Sequence, residues 1–248
     1  MKKLIRGILA VSAMAAALAL TGCDKKNGTT TGGDTTFAGE YRMEAKPLYS
    51  EMEGMNMTYA QIIAALFSLT QSADLGGTSD ITFQPDGSMV IVFDDPEDGT
   101  VTLLPNEAEG IPADAITYAL NGSNVIFTLS SETIDNMLDA ATDPQEAAAI
   151  KQLLAGFNKG IFTYSAADNT AKVTFKYKLT ETELTLYIDK GMISETWSAG
   201  KAIMNGILAL VGEDNPEIAA ILTAVIPQVD TMLEGFNKIE VGAKMTRK

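Results

Sequence analysis

Hydrophobic and polar positions recur with two different periods along this chain, and the switches between the periods mark its elements. After an apolar run at residues 8–20 and a polar stretch at 24–36, loose alternation begins at Phe37 and reads as a first strand to Met43. A methionine-rich link follows. Ile62, Ile63, Leu66, Phe67 and Leu69 then recur at helical spacing, which predicts an amphipathic helix over 59–72, ended by Gly76-Gly77. Residues 81–84 and 88–93 are rich in β-branched and aromatic side chains and flank Pro85-Asp86-Gly87, the turn chemistry of a hairpin. A strand at 100–104 leads to a loop containing Pro105 and Pro112. Residues 115–120 and 125–129 then flank Asn121-Gly122, a second hairpin signal. Helices are predicted at 131–138 and 143–157, the latter opening on Asp143-Pro144, a capping residue followed by proline at the first helical position. Strands return at 161–164, 171–179 and 184–188. Helical periods at 198–211 and 216–233 follow, with Pro227 expected to kink or split the second, and 236–245 closes the chain as a strand.

Two echoes run through this pattern. Leu154-Ala155-Gly156-Phe157-Asn158-Lys159 and Leu233-Glu234-Gly235-Phe236-Asn237-Lys238 each lead from a helix into a strand. The glycine suits a left-handed helix terminus, and the phenylalanine suits packing back on the core. Tyr118-Ala119-Leu120 and Tyr177-Lys178-Leu179 each begin a similar hairpin. About ten strands joined mostly by short turns imply an antiparallel meander, and closure of such a sheet removes its exposed edges. The expected fold is therefore mainly β with α insertions: an antiparallel barrel or curved sheet capped by helices. Gly39-Glu40-Tyr41-Arg42, the hairpin sequence Ile81-Thr82-Phe83-Gln84-Pro85-Asp86-Gly87 and the later hairpins resemble the lipocalin-like (calycin-like) lipoproteins of bacterial envelopes. The likeness spans roughly 37–188, and the long helical insertion at 198–233 departs from a plain lipocalin. It implies a β-barrel that binds an apolar or amphiphilic small molecule.

The start of the chain bears on location. Lys2, Lys3 and Arg6 precede the apolar run, which is too short to span a bilayer, in the order of a secretory signal peptide. Leu20-Thr21-Gly22-Cys23 resembles the bacterial lipobox, which implies cleavage after residue 22 and lipidation of Cys23. The expected organisation is a signal peptide at 1–22, a flexible tether at 23–36 and one globular domain at 37–248. Asp24 followed by Lys25-Lys26 matches neither an inner-membrane retention signal nor an acidic surface-display signal well, and an outer-membrane anchor is the expectation, with its face open.

Composition then narrows the chemistry. Cys23 is the sole cysteine of 248 residues, so the domain has no disulfide and depends on its core. No histidine is present, which excludes Ser-His-Asp, Cys-His and HExxH catalysis. Beyond residue 22, 15 Lys and Arg face 32 Asp and Glu, a net charge of −17 that disfavours nucleic acid and anionic lipid headgroups as partners. Membrane attachment then comes through the lipid.

Candidate sites are few. Asp94-Asp95-Pro96-Glu97-Asp98-Gly99 is rich in carboxylates but lacks the calcium-loop spacing, and it reads as a solvated turn. Met52, Met55 and Met57 offer thioethers to Cu(I), yet no His or Cys supports them, and they read as gap-filling side chains. No metal or cofactor is expected. Aliphatic stripes on the two last helices form either core or a lid over a cavity. The lining expected for such a cavity is Phe83, Ile91, Phe127, Phe175, Trp197 and Ile207. A protein- or glycan-interaction module of an envelope complex remains open as the alternative. So does a hydrolase using an acidic pair, whose separation exists only in three dimensions.

Overall fold

The computed structural model describes residues 36–44, 48–54, 77–95, 99–106, 110–141, 151–152, 154–156, 158–211 and 216–248. Eleven strands form one antiparallel, curled sheet: β1 (Gly39–Met43), β2 (Leu48–Glu53), β3 (Thr78–Phe83), β4 (Met89–Asp95), β5 (Gly99–Leu104), β6 (Ile116–Asn121), β7 (Asn124–Leu129), β8 (Phe162–Ser165), β9 (Thr170–Leu179), β10 (Glu183–Asp189) and β11 (Lys238–Arg247). Three described helices join them: α1 (Ser131–Ala141), α2 (Lys190–Val211) and α3 (Pro216–Gly235). The strand order is β5-β4-β3-β1-β11-β10-β9-β7-β6, with β2 added on β11 and β8 on β9. The mainly β expectation holds as a curled sheet of half-barrel form.

Turn chemistry sets the hairpins as expected. Gly87 adopts φ +89° in the β3–β4 turn, where Asp86 Oδ1 accepts the Ser88 amide at 2.9 Å. In the β6–β7 hairpin Asn121 pairs with Asn124, so Gly122 holds the first central position with φ +60°.

Several expectations change. The link after the first strand contains β2, whose residues 48–53 pair with 243–238 of β11, so the sheet has eleven strands. This strand and β1 both pair with β11, β2 along residues 238–243 and β1 along 246–247. The first of the two final helices begins at Lys190 rather than Ser198. Strand β10 runs directly into it, with Asp189 Oδ1 capping the Met192 amide at 3.0 Å, so Trp197 lies inside the helix. Helix α3 passes through Pro227 as one element. Gly235 is not left-handed, although Phe236 is buried as expected, and the final strand runs two residues later than 236–245. The helix expected at 59–72 and most of that at 143–157 lie outside the described residues, as do Met55, Met57 and 96–98.

Period two divides the sheet into an inner apolar face and an outer polar one. The inner core joins Tyr41, Ile81, Phe83, Ile91, Val125, Phe175, Leu184 and Leu186. On the outer face, Tyr49 and Tyr187 stand 6.0 Å apart with the Lys178 ammonium over both rings at 4.9 and 4.7 Å. Between them Gly242 keeps β11 close to β10, because a Cβ there would stand 1.9 Å from the Leu186 carbonyl oxygen.

The two ends of the curl differ. At one, β10 feeds α2 and α3 feeds β11, and Met192, Ile193, Trp197, Val229 and Met232 pack on the core. At the other, the β3–β4 and β9–β10 turns meet β6 and the beginning of β1. Among the described residues no helix is long and apolar enough to cross a membrane.

Candidate functional site

The uncapped end carries a cleft of about 1050 Å³, lined by Thr36, Phe37, Ala38, Pro85, Asp86, Gly87, Tyr118, Ala119, Leu120, Tyr177, Leu179, Thr180, Glu181 and Thr182. Four chain segments build it. The inward positions of β6 run Ile116, Tyr118, Leu120, and those of β9 run Phe175, Tyr177, Leu179. The last residues of each series pass beyond the core and become walls. Phe37, just ahead of β1, inserts its ring between the two tyrosines, with centroids 5.4 Å from Tyr118 and 5.0 Å from Tyr177. Its carbonyl is held by the Tyr41 hydroxyl at 2.9 Å.

The β3–β4 turn is latched to the free edge of β6. The Tyr118 amide donates to Gly87 O at 2.8 Å and its hydroxyl to Gln84 O at 2.6 Å. Glycine is required at 87, since a Cβ there would stand 2.8 Å from Tyr118 O. The opposite rim is tied by Glu183, whose amide donates to Thr180 Oγ1 at 2.9 Å, and by the Arg247 amide, which donates to Thr182 O at 2.8 Å.

The site's electrostatics are one-sided. Two carboxylates, Asp86 and Glu181, belong to the lining, and among the described residues no lysine or arginine does. Hydrogen bonds from the Ser88 hydroxyl and amide hold the Asp86 carboxyl below its ordinary range. Burial, with the Asp86 charge second, pushes the Tyr118 phenol up, so both groups keep these states at neutral pH. Leu120 is the one large hydrophobic side chain exposed among the described residues, at 45 %. Such a site can bind.

Of the six residues expected to line a cavity, the five whose side chains are described are not in the lining of this cleft. Phe83, Ile91 and Phe175 are buried in the core and Phe127 packs against it. The rings of Phe83 and Phe127 stand 6.2 Å apart, and those of Phe127 and Phe175 5.8 Å. Phe83 touches Phe37 and Tyr118, at 4.9 and 5.2 Å, so this aromatic group lies one layer beneath the cleft floor. Trp197 is at the helix-capped end, packed on the core, its indole N–H donating to Asp230 Oδ1 at 2.7 Å. Ile207 falls in α2, where its side chain lies outside the described residues, and Cys23 precedes them. Sequence reasoning missed Phe37, Tyr118, Leu120, Tyr177 and Leu179 as wall residues. The signal was present in the repeated Tyr-x-Leu, both copies of which meet here around Phe37.

No family model matches this chain, and none of the curated proteins or solved structures does.

Proposed function

We propose that this chain is a lipid-anchored, lipocalin-like envelope protein that binds an amphiphilic small molecule without catalysis. The ligand sits in the cleft at the uncapped end, rather than deeper among Phe83, Phe127 and Phe175. The observation carrying this reading is the aromatic and aliphatic wall of Phe37, Tyr118, Leu120, Tyr177 and Leu179 beneath a rim of hydroxyls and carboxylates. A cleft that sets aromatic and aliphatic side chains beside hydroxyls and carboxylates suits a molecule with a tail and a head. The tether expected at 23–36 joins the domain at Thr36, on the rim itself, so an anchor at Cys23 keeps this mouth near a membrane that supplies amphiphiles.

The competing reading is an interaction module, and it draws on Leu120 beside the outer edge of β6. An exposed apolar residue on the last described strand of the sheet also suits a protein partner.

Native mass spectrometry of the protein extracted from its own host in mild detergent separates them. The amphiphile reading expects a retained small molecule, together with an acyl mass on the N-terminal peptide bearing Cys23. A ligand-free domain that co-purifies with a stoichiometric protein partner would overturn it.

A further inference from the structure

The cleft's charge says which head group it takes, an inference resting on the amphiphile reading above. Asp86 and Glu181 come from different turns, β3–β4 and β9–β10, and both reach the lining without a compensating Lys or Arg. A nearby cation, Arg247, is not itself a lining residue, and its guanidinium is engaged, donating to Ala38 O at 3.4 Å and standing 5.9 Å from the Tyr41 ring centroid. The tyrosine hydroxyls are committed as well. Tyr118 donates to Gln84 O, and Tyr177 donates to Gly122 O at 3.4 Å, which leaves ring surface rather than hydroxyls to meet a ligand. Ring faces and carboxylates attract the same partner, a weakly hydrated cation. The negative charge of the chain past residue 22, −17, draws cations toward the mouth and repels anions.

We infer that the polar head of the ligand is an organic cation, a substituted ammonium group, held between Asp86 and Glu181 over the rings of Tyr118 and Tyr177. A fatty acid or phosphate-headed lipid would place its charge against two carboxylates with no counter-ion in the lining. A sugar head would find acceptors on the rim but gain nothing from charge.

The test uses the chain from Asp24 to Lys248 and three probes sharing a dodecyl tail, each below its micelle concentration: dodecyltrimethylammonium, dodecyl maltoside and dodecanoate. Titration calorimetry is expected to rank the ammonium probe about tenfold tighter than the carboxylate. Asp86→Asn and Glu181→Gln should each weaken the ammonium probe about three- to fivefold and leave the maltoside unchanged. About 0.5 M salt should weaken the ammonium probe alone. Because Asp86 also holds its turn, Glu181→Gln, at an exposed position, carries the comparison if the first variant is unstable. Equal affinity for all three heads, or dodecanoate binding tightest, overturns the cationic head and leaves the amphiphile reading standing. Saturable binding by none of the three overturns both.

Discussion

The two ends of the curled sheet are closed by different physics. At the helix-capped end, Met192, Ile193, Trp197, Val229 and Met232 cover the core with apolar surface, and Trp197 and Lys201 converge on Asp230. At the cleft end no helix covers the core among the described residues, and backbone and charged groups hold the chain together. The Arg247 amide donates to Thr182 O, the Lys248 amide to Glu40 O, and the Lys248 ammonium bridges Glu40 and Asp80. Apolar cover is non-directional and scales with area, whereas hydrogen bonds and exposed ion pairs are directional and individually weak. On the amphiphile reading proposed above, this end admits a ligand and so cannot be sealed by apolar packing. Holding its rim by polar contacts keeps the aromatic floor reachable.

Substitutions at the two ends should therefore separate stability from binding, the largest effect coming from the capped end. Trp197→Ala removes a half-buried ring packed on the core together with its hydrogen bond to Asp230. We expect a loss of about 3 kcal/mol in denaturant unfolding, with ligand affinity per folded molecule unchanged. A loss under about 0.5 kcal/mol, typical of a surface position, would show that the helices contribute little cover.

Gly87→Ala probes the latch between the β3–β4 turn and β6. The residue's φ of +89° strains any L side chain, and the new Cβ would meet Tyr118 O at 2.8 Å. A loss of about 1–2 kcal/mol is expected from the strain alone. Unlike the tryptophan variant, this one should also weaken amphiphile binding several-fold, since Gly87 and Tyr118 both line the cleft. Unchanged binding in a folded Gly87→Ala protein would sever the latch from the site.

Much of this contrast was legible in the amino-acid pattern, and the illegible parts share a cause. Pro85-Asp86-Gly87 and Asn121-Gly122 announced their hairpins because turn chemistry is local. Strand β2 was hidden because Tyr49-Ser50-Glu51-Met52 has no continuous apolar face of its own. Its partner, β11, lies almost two hundred residues further along the chain. The start of α2 was hidden because Asp189 ends a strand and caps a helix at once, with no Gly or Pro between the two elements. Of the six hydrophobic residues chosen for a cavity four are strand-borne, and the three aromatic ones among these, Phe83, Phe127 and Phe175, did come together. Which inward side chains meet one another and which meet solvent depends on where the curl ends. Tyr177 falls past that limit, while Phe175, two positions deeper on the same strand, does not. Tyr118, level with Phe127, meets the cleft because it stands on the last described strand of the order rather than within the sheet.

The smallest expected effect concerns the ion pairs of the cleft end, and it is a pH effect. Asp80 accepts a bidentate pair of hydrogen bonds from Arg42, at 2.9 and 3.0 Å, and one from Lys248. These hold its carboxyl down at about 2, against an ordinary value of 3.8. A carboxyl depressed in the folded state contributes stability that is fully present above its unfolded value and is lost as pH falls through the folded one. The window is thus pH 4 to 2. Because Asp80 and Arg42 are 24 % and 44 % exposed, water screens the pair, and Asp80→Asn should cost under about 1 kcal/mol at neutral pH. Other carboxylates titrate in the same range, so the quantity to follow is the difference in unfolding free energy between wild type and Asp80→Asn. That difference should shrink toward zero as pH falls from 4 to 2. The same measurement on a Met232→Ala protein, which loses apolar cover at the other end and no hydrogen bond to a carboxylate, should give a difference that does not change with pH, because apolar cover binds no protons. A flat curve for Asp80→Asn as well would mean that both ends are held by packing.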